Sequence, residues 1–200
     1  SKLQDALPKP DVILYSSPSL VGYLGAEKLA KKLNVPLAFE VRDIWPLTLC
    51  ELGGYSTSHP FIKLLQWIEK RAYKNSDFVI SNLKNSYEHM QSLGMNTNKF
   101  TWIPNGFLKE EVENAEPLEA RTIEQLTKDK FVIGYAGTFG VANALDSLIS
   151  AASQLTQYPD IAFALVGQGK LKANLQNQIT KLGLENIYFV DAIPKAQVQS

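Results

Sequence analysis

Gly134, Gly137 and Gly140 recur at every third position in the segment FVIGYAGTFG, between an apolar run and a helical pattern. Glycines in a strand-to-helix turn can seat an anion. No side chain blocks approach to the main chain, and the unpaired N–H groups and positive dipole end of the helix favour negative charge. A tight turn without a ligand would use the same residues, and G-x-x-G-x-x-G is not the dinucleotide fingerprint G-x-G-x-x-G, so both readings stand. A second glycine turn, Gly167-Gln168-Gly169-Lys170, follows the run IAFALV. It is not a P-loop, because the first glycine of that motif falls on Ala164 and Leu171 follows the lysine. Two glycine-bearing strand ends in one sheet favour a shared nucleotide site. A third constellation is Glu40 with Arg42 and Asp43, followed by Ile44-Trp45-Pro46. Charges this dense at a strand end need mutual pairing or a polar ligand. Either Arg42 and Asp43 touch substrate, with Trp45 suited to a sugar ring, or an Arg–carboxylate pair shapes the loop.

Other chemistries find little support. His59 and His89 stand in no metal-ligand spacing and are expected at the surface or at a helix cap; with Cys50 as the one cysteine, no zinc site or internal disulfide forms. There is no G-x-S-x-G elbow, and Cys50 in LTLCELGG is expected to be a buried small hydrophobe. The 200 residues hold 20 basic and 20 acidic side chains, so the zero net charge shows no general attraction to nucleic acid or to anionic lipid and argues against nucleic acid as a partner. No apolar run approaches the ~20 residues that span a bilayer, no signal peptide is visible, and a cytoplasmic setting is the default.

The elements that must position these residues alternate regularly. Strands are predicted over 11–15, 36–41, 77–81, 99–103, 131–136, 161–166 and 186–190, the strand at 131–136 buried on both faces. Helices are predicted over 20–33, 59–74, 87–93, 143–157 and 170–182. In the helix over 59–74 the inward stripe is read as Phe61, Leu64, Leu65, Ile68 and Ala72, and Trp67 and Trp102 are expected in the core. The charged stretch 108–130 has no deep apolar stripe and is predicted to be a linker with some helix. The expected class is α/β, with two Rossmann-like parallel-sheet units: 1–107, the linker 108–130, and 131–200. In open α/β sheets ligands bind beyond the carboxyl ends of the strands. Function is therefore expected in the loops at Ser16-Ser17-Pro18, Arg42 to Pro46, Asn82, Asn105-Gly106, Gly137 to Gly140, Gly167 to Lys170, and Asp191-Ala192.

FEVRDIWP (39–46), IPNG (103–106), IGYAGTFG (133–140) and LVGQG (165–169), in that order and spacing, resemble family-4 glycosyltransferases of the GT-B fold, most closely bacterial enzymes of surface-polysaccharide assembly. The resemblance implies an enzyme that transfers a sugar from a UDP- or GDP-type nucleotide donor to a glycan or lipid-linked acceptor. It implies no cofactor and no metal, the diphosphate being neutralised by backbone amides, a helix dipole and basic side chains. Gly137, Thr138, Phe139 and Gly140 would face the donor diphosphate, Gly167, Gly169 and Lys170 would form the nucleotide wall, and Asp191 and Ala192 would lie near the base. Ser17, Arg42 and Asp43 would face the acceptor or transferred sugar, and Asn105-Gly106 would mark the interdomain crossover. Peripheral association with the inner face of the membrane is implied for the parent.

The chain departs from the family pattern. Arg42 stands where many members have histidine, and the loop GTFGVANALDSL lacks the Arg/Lys pair usual after it. The Glu-containing motif of the C-terminal half and the first glycine-rich strand of the N-terminal half are not found. The sequence is therefore expected to be an internal fragment, inactive alone. A sugar-nucleotide epimerase of GT-B type and a non-catalytic nucleotide-binding or assembly module are the alternatives.

Overall fold

The computed structural model describes residues 8–119 and 130–198. The chain divides into two units, Ser1–Gly106 and Phe107–Ser200. The predicted linker 108–130 includes residues 120–129, which lie outside the described residues.

The first unit runs β1 (Ile13–Ser16), α1 (Val21–Leu33), β2 (Leu37–Val41), α2 (Leu47–Gly53), α3 (Pro60–Asn75), β3 (Phe78–Ser81), α4 (Ser86–Ser92) and β4 (Phe100–Trp102). Its strands form one parallel sheet in the order β1-β2-β3-β4. The apolar run LAFEV makes β2 an interior strand, and Phe39 and Val41 pack with Tyr23, Ile68, Ala72, Tyr73 and Met90 in one core. Each large side chain removed from water there stabilises the fold by about 1.5–3 kcal/mol. Asn34, in the left-handed conformation at φ 51°, stops α1, and its N–H caps the carbonyls of Ala30 and Lys31. His59 begins α3 by accepting the Phe61 N–H, with Pro60 in the first turn.

The second unit runs α5 (Lys109–Glu113), β5 (Phe131–Ala136), α6 (Leu145–Gln154), β6 (Ile161–Val166), α7 (Lys172–Leu182) and β7 (Ile187–Val190). Its sheet is parallel, in the order β5-β6-β7. Phe163, Leu165, Ile149, Leu175 and Phe139 form its core.

Several expectations need correction. Strand β5 is not buried on both faces: it is an edge of the three described strands, and Phe131 is 70% exposed, whereas β6 between its two neighbours buries Ala162 to Leu165. On α3 the buried arc is Ile62, Leu65, Ile68, Glu69, Ala72 and Tyr73, leaving Phe61 and Leu64 exposed. The arc is rotated because Glu69 turns inward to bond His89 (2.8 Å) and the Tyr73 hydroxyl (3.1 Å). Trp67 and Trp102 are also outside the core. Trp67 lies on the outer face of α3, and Trp102, on edge strand β4, sends its indole N–H to the Asn82 carbonyl. Helix α2 was not foreseen, since seven residues are too few to show a period, and its Cys50 is only half-buried.

Candidate functional site

Strands β5 and β6 lie side by side with Ala136 opposite Val166, so their terminal turns emerge together. The pairing continues one residue beyond each strand: Gly137 N–H donates to the Val166 carbonyl (2.9 Å), and Gly167 N–H to the Val190 carbonyl (3.0 Å). The turns are then tied to each other, Phe139 N–H donating to Gln168 O (2.9 Å) and Leu171 N–H to Phe139 O (3.1 Å). This close approach explains two of the glycines. Gly167 has φ +144°, and a Cβ there would overlap the Gly137 carbonyl oxygen; a Cβ at Gly169 would come within 2.6 Å of the Phe139 nitrogen. Gly134 and Gly140 carry no such constraint. The triplet spacing of the opening motif is therefore not what the fold uses.

Beyond these strand ends lies a cavity of about 350 Å³, lined by Ala136, Gly137, Thr138, Val166, Gly167, Gln168, Ala192, Ile193 and Val198. Of the predicted donor-side residues, Gly137, Thr138, Gly167 and Ala192 meet in its wall. Phe139 does not: it is fully buried behind the loop, its ring packed edge-on against Phe189, and it anchors the two turns. Gly169 packs against Phe139, while Gly140 and the exposed Lys170 are not in the lining. The predicted helix terminus is also displaced. A short 3-10 turn, Val141–Asn143, separates the glycine turn from α6, which starts after Ala144 at φ 46°.

The polar equipment of the cavity is main chain together with Thr138 and Gln168. The Thr138 carbonyl is held by the Tyr135 hydroxyl (2.9 Å) and Asn143 Nδ2 (2.6 Å). Among the described residues, the amides of Thr138, Gln168, Gly169 and Lys170 donate to no protein acceptor, which leaves them for a ligand or water. Outside the lining, Lys172 Nζ and the Nε2 of Gln168 each sit 2.6 Å from Asp191 Oδ1. The hydrogen bond and charge of Lys172, helped by Gln168, hold the Asp191 carboxyl below its ordinary range. Lys172 was missed as a site residue, and Gln168 was read only as part of the glycine turn, with no role of its own. In sequence Lys172 looks like Lys170, another solvated lysine near a helix start, and only the register of α7 against β7 separates them.

In the first unit, Ser17 follows β1 and Arg42-Asp43 follow β2, so adjacent strand ends bring them together. Ser17 was expected to face substrate; instead it is 5% exposed, and its Oγ accepts the backbone N–H groups of Arg42 (2.8 Å) and Asp43 (3.3 Å). It fixes the loop from below. The alternative, an Arg–carboxylate pair that shapes the loop, is not formed by Arg42 among the described residues: Arg42 and Asp43 are exposed, and Glu40 instead accepts the Ser16 hydroxyl. Asn105 and Gly106 are exposed where the first unit ends. No helix among the described residues is long and apolar enough to cross a membrane.

Comparison with known proteins agrees with this architecture. The family model described as Glycosyltransferase Family 4 matches residues 1–108, and that described as Glycosyl transferases group 1 matches residues 118–200. A protein of Escherichia coli (strain K12) named for colanic acid biosynthesis glycosyl transfer, WcaI, is 27% identical over 93% of this chain and 48% of its own length. An uncharacterized glycosyltransferase of Methanocaldococcus jannaschii is 29% identical over 94% of this chain and 46% of its own. The chain thus spans about half the length of these relatives. Among solved structures, Thermosynechococcus elongatus sucrose-phosphate synthase superposes with TM-score 0.72 at 17% identity, over 99% of this chain and 49% of that one. Anabaena HepE in complex with UDP does so with TM-score 0.68 at 21% identity, over 92% and 50%. The two parallel α/β sheets are those of GT-B enzymes, and the chain belongs to glycosyltransferase family 4.

Proposed function

We propose that this chain carries the donor-nucleotide seat of an enzyme that transfers a sugar from a UDP- or GDP-type nucleotide donor to a glycan or lipid-linked acceptor, in surface-polysaccharide assembly on the cytoplasmic side. The observation that carries this reading is the cavity at the ends of β5 and β6, where side-chain-free backbone meets the unpaired amides of Thr138 and Gln168, with Lys172 outside the lining but 3.5 Å from Gln168 Oε1. The HepE structures holding UDP and UDP-glucose, and the E. coli relative named for colanic acid biosynthesis, support it.

The chain's own groups suffice to receive a diphosphate. The amides of Thr138 and Gln168 donate to phosphate oxygens, and Lys172 supplies positive charge in place of the missing Arg/Lys pair. As the diphosphate arrives, Lys172 exchanges Asp191 for a phosphate oxygen, and Asp191 keeps Gln168 as a partner. No metal takes part in this scheme. In the first unit, Arg42 and Asp43 are assigned to the acceptor or transferred sugar, with Ser17 as the positioning residue beneath them.

The test is calorimetric titration of the 200-residue chain with UDP and GDP, with and without EDTA. Lys172→Met removes a charge-assisted hydrogen bond and should weaken nucleotide binding about tenfold. Asp191→Asn removes the competitor for Lys172 and should tighten it by roughly two- to threefold, the ion pair being exposed. Equal affinity in all three proteins would remove Lys172 from the site, and loss of binding in EDTA would contradict the metal-free scheme.

A further inference from the structure

We propose that the cavity at the amino ends of β5, β6 and β7 is a second binding site, for a neutral sugar unit of a glycan. Because the three strands are parallel, the residues that enter them gather at the end of the sheet opposite the cavity at Gly137 and Gly167. Lys130 precedes β5, Thr156 and Tyr158 precede β6, and Glu185 and Asn186 precede β7, whose second residue is Tyr188. These residues meet in the wall of a cavity of about 380 Å³, within the range of roughly 300–1,000 Å³ that small-molecule sites occupy. None of them takes part in the donor scheme.

The lining combines ring faces with hydrogen-bonding groups that the fold leaves uncommitted. Tyr158 is 47% exposed, and its hydroxyl bonds no described residue. Lys130 donates to the Tyr188 hydroxyl (3.1 Å), its Nζ lying 5.5 Å from the ring centroid. Among the described residues no carboxylate pairs with Lys130, so the rest of its N–H donors are open to a ligand. Asn186 commits Nδ2 to the Ala152 carbonyl (2.9 Å), which leaves Oδ1 buried with no partner among the described residues. A buried acceptor without a donor costs free energy, and a ligand hydroxyl, or a water that it holds, removes the cost. Donors and acceptors are thus mixed, and the charges of Lys130 and Glu185 cancel. That balance selects an uncharged, polyhydroxylated ligand whose C–H face lies on a tyrosine ring. A phosphate or carboxylate would meet Glu185, an amine would meet Lys130, and an apolar peptide would leave Asn186 and Glu185 unserved. The proposal does not rest on nucleotide binding at the donor cavity, and its assay contains no nucleotide.

The experiment is titration of the isotope-labelled 200-residue chain with maltose, cellobiose and lactose, and with inorganic phosphate, followed by amide chemical shifts. Saturable shifts at Tyr158, Asn186 and Tyr188, and none at Gly137 or Gly167, are expected with at least one of the three sugars and not with phosphate. Tyr158→Ala removes the exposed ring and should weaken that binding about tenfold. Tyr158→Phe keeps the ring and should stay within about threefold of the unmodified chain, which separates a lost contact from a misfolded variant. Lys130→Met should lose between about threefold and tenfold. Tyr55→Ala, which removes an equally exposed tyrosine from the first unit, should bind like the unmodified chain. No saturable shift with any of the three sugars, shifts confined to the turns at Gly137 and Gly167, undiminished binding in Tyr158→Ala, an equal loss in Tyr55→Ala, or phosphate moving the same amides as strongly would each overturn the proposal.

Discussion

Replacing Gly167 with alanine tests whether the two glycine turns are built by backbone contact. At φ +144° the residue lies where a side chain is strained, which costs about 1–3 kcal/mol. The new Cβ would also stand 3.0 Å from the Gly137 carbonyl carbon and overlap its oxygen, while the Phe139 ring is 3.5 Å away. Gly137 cannot simply withdraw, because its N–H is bonded to Val166 O at 2.9 Å and Gly167 N–H to Val190 O at 3.0 Å. Relief breaks one of these bonds, at about 1 kcal/mol, or overpacks the turn, at about 1–3 kcal/mol. The expected loss is roughly 2–6 kcal/mol, a large share of what a domain of this size has to lose. Urea denaturation followed by far-UV circular dichroism measures it, with Gly134→Ala as the matched control. Gly134 has no atom within 4 Å of its would-be Cβ and should change stability by less than about 0.5 kcal/mol. An unaltered midpoint for Gly167→Ala, or an equal loss in Gly134→Ala, would refute the reasoning.

Two further predictions concern the first unit. Burial alone would raise the Glu27 carboxyl, but its bonds to Arg71, Lys31 and Asn75 outweigh burial and hold it at about 2, against about 4.3 in an unfolded chain. A depressed folded value stabilises above the unfolded one and loses that contribution as pH falls, so about 3 kcal/mol should disappear between pH 5 and pH 2. Urea midpoints across that window should fall steeply for the unmodified chain and flatten in Glu27→Gln. Ser17→Ala leaves the Arg42 and Asp43 amides without their buried acceptor and should cost about 1–3 kcal/mol. Its denaturation midpoint, and faster exchange of those two amides, would report the loosened loop, whereas unchanged exchange would sever Ser17 from it.

The alternation of apolar runs made both parallel sheets readable, because a strand such as IAFALV, covered on both faces, leaves a continuous hydrophobic signature. The sidedness of single elements was less readable. FVIGYA carries nearly the same signature as IAFALV, yet β5 is an edge among the described strands, and sheet order is not written in a local pattern. In α3, apolar residues occupy both faces, so the true buried arc depended on Glu69 finding His89 from another helix. At the candidate site the glycine turns were visible, but the division of labour among Gly137, Phe139, Gly167 and Gly169 was not. A fully buried phenylalanine between two glycines reads like an exposed loop residue until the second turn is placed against it. Lys172 was hidden for the same reason, since its partner Asp191 lies 19 residues away and meets it only through sheet register.

The central claim is that a nucleoside diphosphate sits on the paired turns after β5 and β6. Its most direct measurement is the amide chemical-shift perturbation of the isotope-labelled 200-residue chain titrated with UDP and with GDP. Saturable shifts concentrated at Gly137, Thr138, Gly167, Gln168 and Ala192, and weakened in Lys172→Met, are the predicted result. Shifts concentrated elsewhere, or no saturable shift with either nucleotide, would contradict it.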